Sequence, residues 1–363
     1  MWYPRSVYRV FHALQARRRG DRQWPRGFAD RLTHPMPSWR AVQKLLFSGG
    51  MRPADLTDVK RIPVEQASEL AALSAGESAV TWIGHATCVV RIGGVTVLTD
   101  PVWSRRIPGV PPRFTPPGLP LESLGHIDAV VISHNHFDHL DAPTIKRLPR
   151  ETLMLVPAGL AWWFKRFGFR QVVELDWWES AAIGPVQAQF VPGHHWSRRT
   201  PFDGCQSLWG GWVLTSGEKA TDQRRVYFAG DTAYGPYMSE IGERCPGIDV
   251  ALLPVGAFLP RWFMKPLHMN PAEAVRACAD LGAARMATIH WGTFALSAET
   301  PMAPIELARQ AWAEAGRAPE DLWDLAVGET RLLPALLVDN STGVAANSDA
   351  KTASPVELRQ QRA

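Results

Sequence analysis

Cysteine is scarce: the 363 residues contain four, Cys88, Cys205, Cys245 and Cys278, scattered and without paired spacing. That excludes a disulfide framework and a cysteine-based metal site, and leaves the four as small buried apolar residues. No run of about 18 apolar residues occurs, so no membrane-spanning helix is expected. An arginine-studded N-terminus lacks the apolar core of a signal peptide, which sets the expectation of a cytoplasmic protein. Charge of one sign is in small excess, net +4 with a pI near 9.0. That balance permits attraction to anionic surfaces but does not call for nucleic acid, and no nucleic-acid partner is expected. No internal repeat of short period is visible.

What is abundant sits in one place. His134, Asn135, His136, Phe137, Asp138 and His139 form a His-x-His-x-Asp-His string directly after the apolar run 127–132, which reads as a buried strand. In extended chain the side chains alternate between faces, so His134, His136 and Asp138 can point to one side while a turn aims His139. One segment could then serve two adjacent cations. Neutral imidazole suits zinc, iron and similar ions, a carboxylate adds a hard oxygen, and an open coordination position makes such a site catalytic. A two-ion centre needs more donors than one string supplies, and the chain holds them at the ends of other apolar runs. The run 186–191 leads through Pro192 and Gly193 into His194 and His195, the run 225–229 through Gly230 into Asp231, and the run 285–289 into His290. Donors placed where strands stop and loops begin suit chemistry at one edge of a rigid sheet.

Eight stretches carry a family resemblance: WIGHAT (82–87), LTDP (98–101), ISHNHFDHLD (132–141), ELDWWE (174–179), HWSRRT (195–200), FAGDTAY (228–234), PRWFMK (260–265) and IHWGTFAL (289–296). Together they resemble the metallo-β-lactamase fold superfamily and, within it, the N-acyl-phosphatidylethanolamine-hydrolysing phospholipase D family. The resemblance implies an α/β fold, a four-layer αβ/βα sandwich built from two similar halves. It also implies two zinc ions per chain, with His134, His136 and His195 on one, Asp138, His139 and His290 on the other, and Asp231 bridging them. The residues alone leave His194 and His195 open, whereas the family pattern of His, then Trp, then an Arg favours His195. Catalytic roles fall by the same resemblance to Asp138, Asp231 and His268, the last at a position near the reacting phosphate. The implied reaction is attack on phosphorus by a hydroxide shared between the ions, leaving phosphatidic acid and an N-acylethanolamide. The residues by themselves support metal-assisted hydrolysis, so a soluble two-metal hydrolase of another phosphodiester, ester or lactone stands as the alternative. A homodimer is also implied by the resemblance.

Arg198, Arg199, Arg261 and Lys265 are expected to meet a lipid phosphate. His85, in WIGHAT, either touches substrate or braces the site. Among sixteen tryptophans, most of which should be core, the stretch 161–169 differs in setting five aromatics around Lys165 and Arg166. Trp162, Trp163, Phe164 and Phe167 are expected to dock on a bilayer or line an acyl groove. The expected partners are therefore a phospholipid substrate and a membrane surface, and the expected placement is the cytoplasm, peripheral on the inner membrane face. Three regions are expected: a basic aromatic extension over 1–75 packing on or near the core, a hydrolase domain over 76–338, and a disordered tail over 339–363. The basic extension fits either an anionic membrane or a solvated arm. Locally, Gly93-Gly94 predicts a tight hairpin turn. Asn270, Pro271 and Glu273 predict a helix start, and a second helix is expected from Pro304 to Ala315, ended by Gly316.

Overall fold

Alternation along the apolar runs sets the layering. In the strands β2 (Thr87–Ile92), β3 (Val95–Thr99), β4 (Ala129–Val131) and β5 (Leu153–Pro157), Cys88, Val90, Val97, Ala129, Val131 and Leu155 join one large core. Their neighbours Val89, Leu98, Val130, Met154 and Val156 join a second core on the opposite face. A strand apolar on both faces must be covered on both. The computed structural model describes residues 23–51, 53, 55–65, 74, 76–217 and 222–334. The segment 1–22 and the tail expected over 339–363 lie outside the described residues.

Two seven-stranded sheets face each other. The first runs β14 (Thr330–Leu332), β1 (Ala79–Gly84), β2, β3, β4, β5, β6 (Val172–Leu175). The second runs β13 (Leu322–Trp323), β12 (Arg285–Ile289), β11 (Val250–Pro254), β10 (Arg224–Phe228), β9 (Gly211–Ser216), β8 (Val186–Val191), β7 (Ser180–Ile183). Each sheet joins an antiparallel run, β1 to β3 or β7 to β10, to a parallel one, β3 to β6 or β10 to β13. This is the pair of similar halves that the sequence does not display.

Seven α-helices are described: α1 (Trp39–Phe47), α2 (Ala142–Arg147), α3 (Ala161–Lys165), α4 (Tyr237–Arg244), α5 (Arg261–Met264), α6 (Pro271–Asp280) and α7 (Ala303–Glu314). Ile145 of α2 and Phe164 of α3 cover the outer face of the first sheet. Helix α6 lies on β11 and packs against α4 and α7 beside the second sheet. The result is a mixed α/β sandwich of four layers. No helix among the described residues is long and apolar enough to cross a membrane.

Local signals fold as their chemistry dictates. Gly93 and Gly94 both take positive φ, 56° and 79°, and close the β2–β3 hairpin with Ile92 opposite Val95. Asn270 accepts from the Glu273 amide at 2.8 Å while Glu273 accepts from the Asn270 amide at 2.9 Å, a reciprocal cap with Pro271 at the first position of α6. Helix α7 starts at Ala303 and ends at Glu314, one residue from the expected bounds at each end, with Gly316 at φ 65° just beyond. Residues before β1 pack on this frame: Phe28 is in the core, the Trp24 indole donates to Glu174 at 2.7 Å, and Arg31 forms two bonds to Asp176 at 3.1 Å.

Candidate metal centre

Five strands end at one edge and each delivers a donor. The string 134–139 follows β4, His195 follows β8, Asp231 follows β10, His290 follows β12 and His85 follows β1. Their polar atoms converge into two groups, each with ligand atoms within 4.8 Å of one another: His134, His136, His195 and Asp231, and His85, Asp138, His139 and His290. Asp231 lies between them. Its Oδ2 is 3.1 Å from His139 Nε2 and 3.9 Å from His195 Nε2, and its Oδ1 is 3.0 Å from His290 Nε2. His134 Nε2 and His136 Nδ1 are 2.8 Å apart, and His195 Nε2 is 3.2 Å from the same His136 atom. Asp138 Oδ2 stands 3.5 Å from Nε2 of both His139 and His290.

The arrangement fits a cation better than it fits a closed hydrogen-bond network. Nε2 of His139 and of His290, Oδ1 of Asp231 and Nδ1 of His268 are buried without a hydrogen-bond partner. Orphaned buried polar atoms are costly and therefore rare, and here they point at one another. Burial holds His134 well below the ordinary imidazole range and sets His85 and His136 at about 3 and His195 at about 4. Those rings are neutral and keep a lone pair to offer. Burial, the largest single influence, would push His290 and His139 down too, but the carboxylates around them together outweigh it, Asp231 and Asp138 raising His290 to about 9 and Asp231, Asp138 and Asp100 raising His139 well above the usual range. Burial likewise opposes the charge on Asp138 and Asp231, but the surrounding histidines together hold both carboxyls well below the usual carboxylate range, His139 and His290 at both, with His85 at Asp138 and His268 at Asp231. The neutral nitrogens of His134, His136 and His195, with carboxylates whose charge favours a proton on His139 and His290, form a cluster that draws positive charge and carries the donor types of zinc, iron or a similar cation.

Of the neighbouring pair, His195 enters the cluster. Its Nδ1 faces the Leu267 carbonyl at 3.0 Å, which turns Nε2 inward. The His194 ring instead lies against Tyr237, with centroids 4.4 Å apart, and its amide donates to Thr232 Oγ1 at 2.8 Å. His268 lies beside the cluster, its Nδ1 3.9 Å from Asp231 Oδ2. His85 is 2% exposed, and its Nε2 is 3.1 Å from Asp138 Oδ2. Its φ of 56° and that of His290, 63°, are both left-handed, and the His290 amide donates to the His85 carbonyl at 2.9 Å. Strained backbone at a functional edge persists where its surroundings over-determine it.

The expected phosphate contacts are mostly engaged with protein. Arg199 donates to the carbonyls of Asn135, at 2.9 Å, and Leu140, at 2.6 Å, and stacks 4.1 Å over Phe137. It holds the donor string in shape. Arg261 grips Glu273 at 2.8 and 3.0 Å and the His268 carbonyl at 3.0 Å. Arg198 donates to the Thr200 carbonyl at 3.1 Å, while Lys265 is exposed. The docking role expected of the 161–169 aromatics is corrected for two of them: Trp163 is 6% and Phe164 0% exposed, both in the core. A five-residue helix laid on the sheet has too little surface to turn so many rings outward. Trp162 and Phe167 are half-buried, with Arg166 4.8 Å over Phe167.

Asp100 was missed as a functional residue. It is fully buried at the end of β3, takes φ 32°, and accepts from His139 Nδ1 at 2.6 Å and from the Ser133 amide at 2.7 Å. A carboxylate on the far nitrogen of a ligating histidine fixes its tautomer and direction. LTDP carried the signal, an acid ending an apolar run, but its partner is visible only once β3 and β4 lie side by side.

Comparison with known proteins agrees with this geometry. Residues 95–291, more than half of the chain, match the family model of the beta-lactamase superfamily domain. The chain is 38% identical over 231 residues to an N-acyl-phosphatidylethanolamine-hydrolyzing phospholipase D of Caenorhabditis elegans, covering 59% of this chain and 64% of that one. It is 33% identical over 244 residues to the mitochondrial enzyme of the same name from Saccharomyces cerevisiae, covering 62% of this chain and 50% of that one. The match therefore spans under two thirds of either relative's length. A metallo hydrolase of the archaeon Ignicoccus hospitalis shares the fold, with a TM-score of 0.55, 23% identity, and coverage of 71% of this chain and 98% of that one. With the fold, the donor cluster and the family model in agreement, the chain belongs to the metallo-β-lactamase superfamily.

Proposed function

We propose that the protein is a metal-dependent phosphodiesterase of phospholipase D type, which splits N-acyl-phosphatidylethanolamine-like phospholipids into an N-acylethanolamide and phosphatidic acid. The observation that carries the hydrolase reading is the convergence of donors from both sheets with their buried atoms unpaired. The phospholipid class is supported by the two relatives of that name. His134, His136 and His195 would hold one zinc ion, Asp138, His139 and His290 a second, and Asp231 would serve both. Two such ions polarise a phosphoryl oxygen and acidify a water at neutral pH. The chain's own part is positional. Asp100 and His85 orient His139 and Asp138, Arg199 keeps the string folded back on itself, and His268 stands beside Asp231 where a proton can pass to the departing alcohol oxygen.

A soluble hydrolase of another phosphodiester, ester or lactone is the second reading, favoured by the partial coverage of the phospholipase relatives. Zinc-loaded protein incubated with defined phospholipids, with and without vesicles, separates the two by mass spectrometry of the products. Phosphatidic acid with an N-acylethanolamide is the expected pair. Turnover of water-soluble esters alone would move the protein to the second reading.

A further inference from the structure

Four of the nine large apolar side chains left in solvent among the described residues lie on two neighbouring elements. Trp39, Leu46 and Phe47 on α1 are 70%, 57% and 89% exposed, and Trp262 on α5 is 48% exposed. Trp39 and Leu46, two turns apart, share a helix face. Leu45, 2% exposed, anchors α1 from another side. Gly50 seals the helix end against α5, since a Cβ there would lie 2.6 Å from Leu45 Cδ1 and 3.2 Å from Pro260 Cδ. Lys44 Nζ sits 4.7 Å over the Trp262 ring and joins the two elements into one surface.

Charge indicates what covers it. No Asp or Glu occurs between Asp30 and Asp55, or between Asp249 and Glu273, while Arg40, Lys44 and Lys265 are exposed in those stretches. Aromatic and aliphatic side chains flanked by cations match the composition of a helix that lies in the headgroup boundary of an anionic membrane. A second copy of the chain meeting this face across a two-fold axis would set the same cations against each other. The segment also leads to the site. His268 is six residues beyond Trp262, a reach of at most about 20 Å, and faces Asp231.

We propose that α1 and α5 form a docking surface for an anionic phospholipid bilayer, which presents lipid to the His268 side of the donor cluster. The proposal deepens the phospholipid reading and rests on it for what is delivered, though not for the binding itself. Metal-loaded protein sedimented with phosphatidylcholine vesicles, with and without phosphatidylglycerol, tests it. The wild type should bind the anionic vesicles and release them as salt rises from about 0.1 to about 1 M. Trp39→Ser with Phe47→Ser should weaken that binding by about tenfold or more, and Arg40→Glu with Lys44→Glu should abolish the preference for anionic lipid. Metal content and turnover of a water-soluble phosphodiester should stay unchanged in both variants. No vesicle binding by the wild type, or undiminished binding by the Trp39/Phe47 variant, overturns the proposal. So does concentration-dependent dimerisation in light scattering that the same pair of changes removes. Vesicle binding without phospholipid turnover would leave the docking surface standing and remove the substrate reading alone.

Discussion

Asp100 shows how a residue can govern a site it does not enter. Its buried carboxylate holds His139 Nδ1 and the Ser133 amide at once, so removing its charge loosens one donor while leaving most of the hydrogen-bond shape. Asp100→Asn should lower metal affinity by roughly 10- to 100-fold, read by competition with a chromophoric chelator, with an unchanged far-ultraviolet spectrum. The histidine pair gives a sharper contrast. His195→Ala should reduce bound metal and hydrolysis together, whereas His194→Ala should leave metal content intact, because its ring rests on Tyr237. At this scale the donors were legible because chemistry restricts them to a few residue types at strand ends. Of the supports, the sequence offered His85 alone, and only as one of two readings. Arg199 looks in sequence like a phosphate ligand, and its carbonyl partners at 135 and 140 depend on a loop fold that spacing does not encode.

Helix α6 couples an ordinary cap to the site. Glu273 closes the reciprocal cap with Asn270 and also grips Arg261, which in turn holds the His268 carbonyl. Asn270→Ala should cost about 1 kcal/mol of stability in urea unfolding, while Glu273→Ala should cost a similar amount and also lower activity, by freeing the His268 segment. Elements with a self-contained signal were read closely: the Gly93-Gly94 hairpin, the Asn-Pro-x-Glu helix start and the apolar runs before each donor. Helix α3 misled because its composition resembles an interfacial segment. Which of Trp162, Trp163, Phe164 and Phe167 faces out depends on the sheet beneath it, a contact between distant parts of the chain.

At the scale of the molecule, the donors are divided between the sheets, the string on the first and His195, Asp231 and His290 on the second, so the centre exists only when both are assembled. The layered architecture was legible through the family resemblance, whereas the strand order was not, because β14 returns from residue 330 to pair with β1 at residue 79. That return has a consequence for handling the protein. Strand β1 is buried along its whole length, and β14 caps its edge through the Ala79–Leu332 to Thr81–Thr330 register and a 2.7 Å contact between the two threonine hydroxyls. A chain ended after Glu329 would leave a flat, apolar row of unpaired amides and carbonyls open to strands from other molecules. Its first fault should be aggregation during expression rather than a silent active site. Soluble yield and light scattering, compared with a chain ended after Pro334, would register the difference before any assay of turnover.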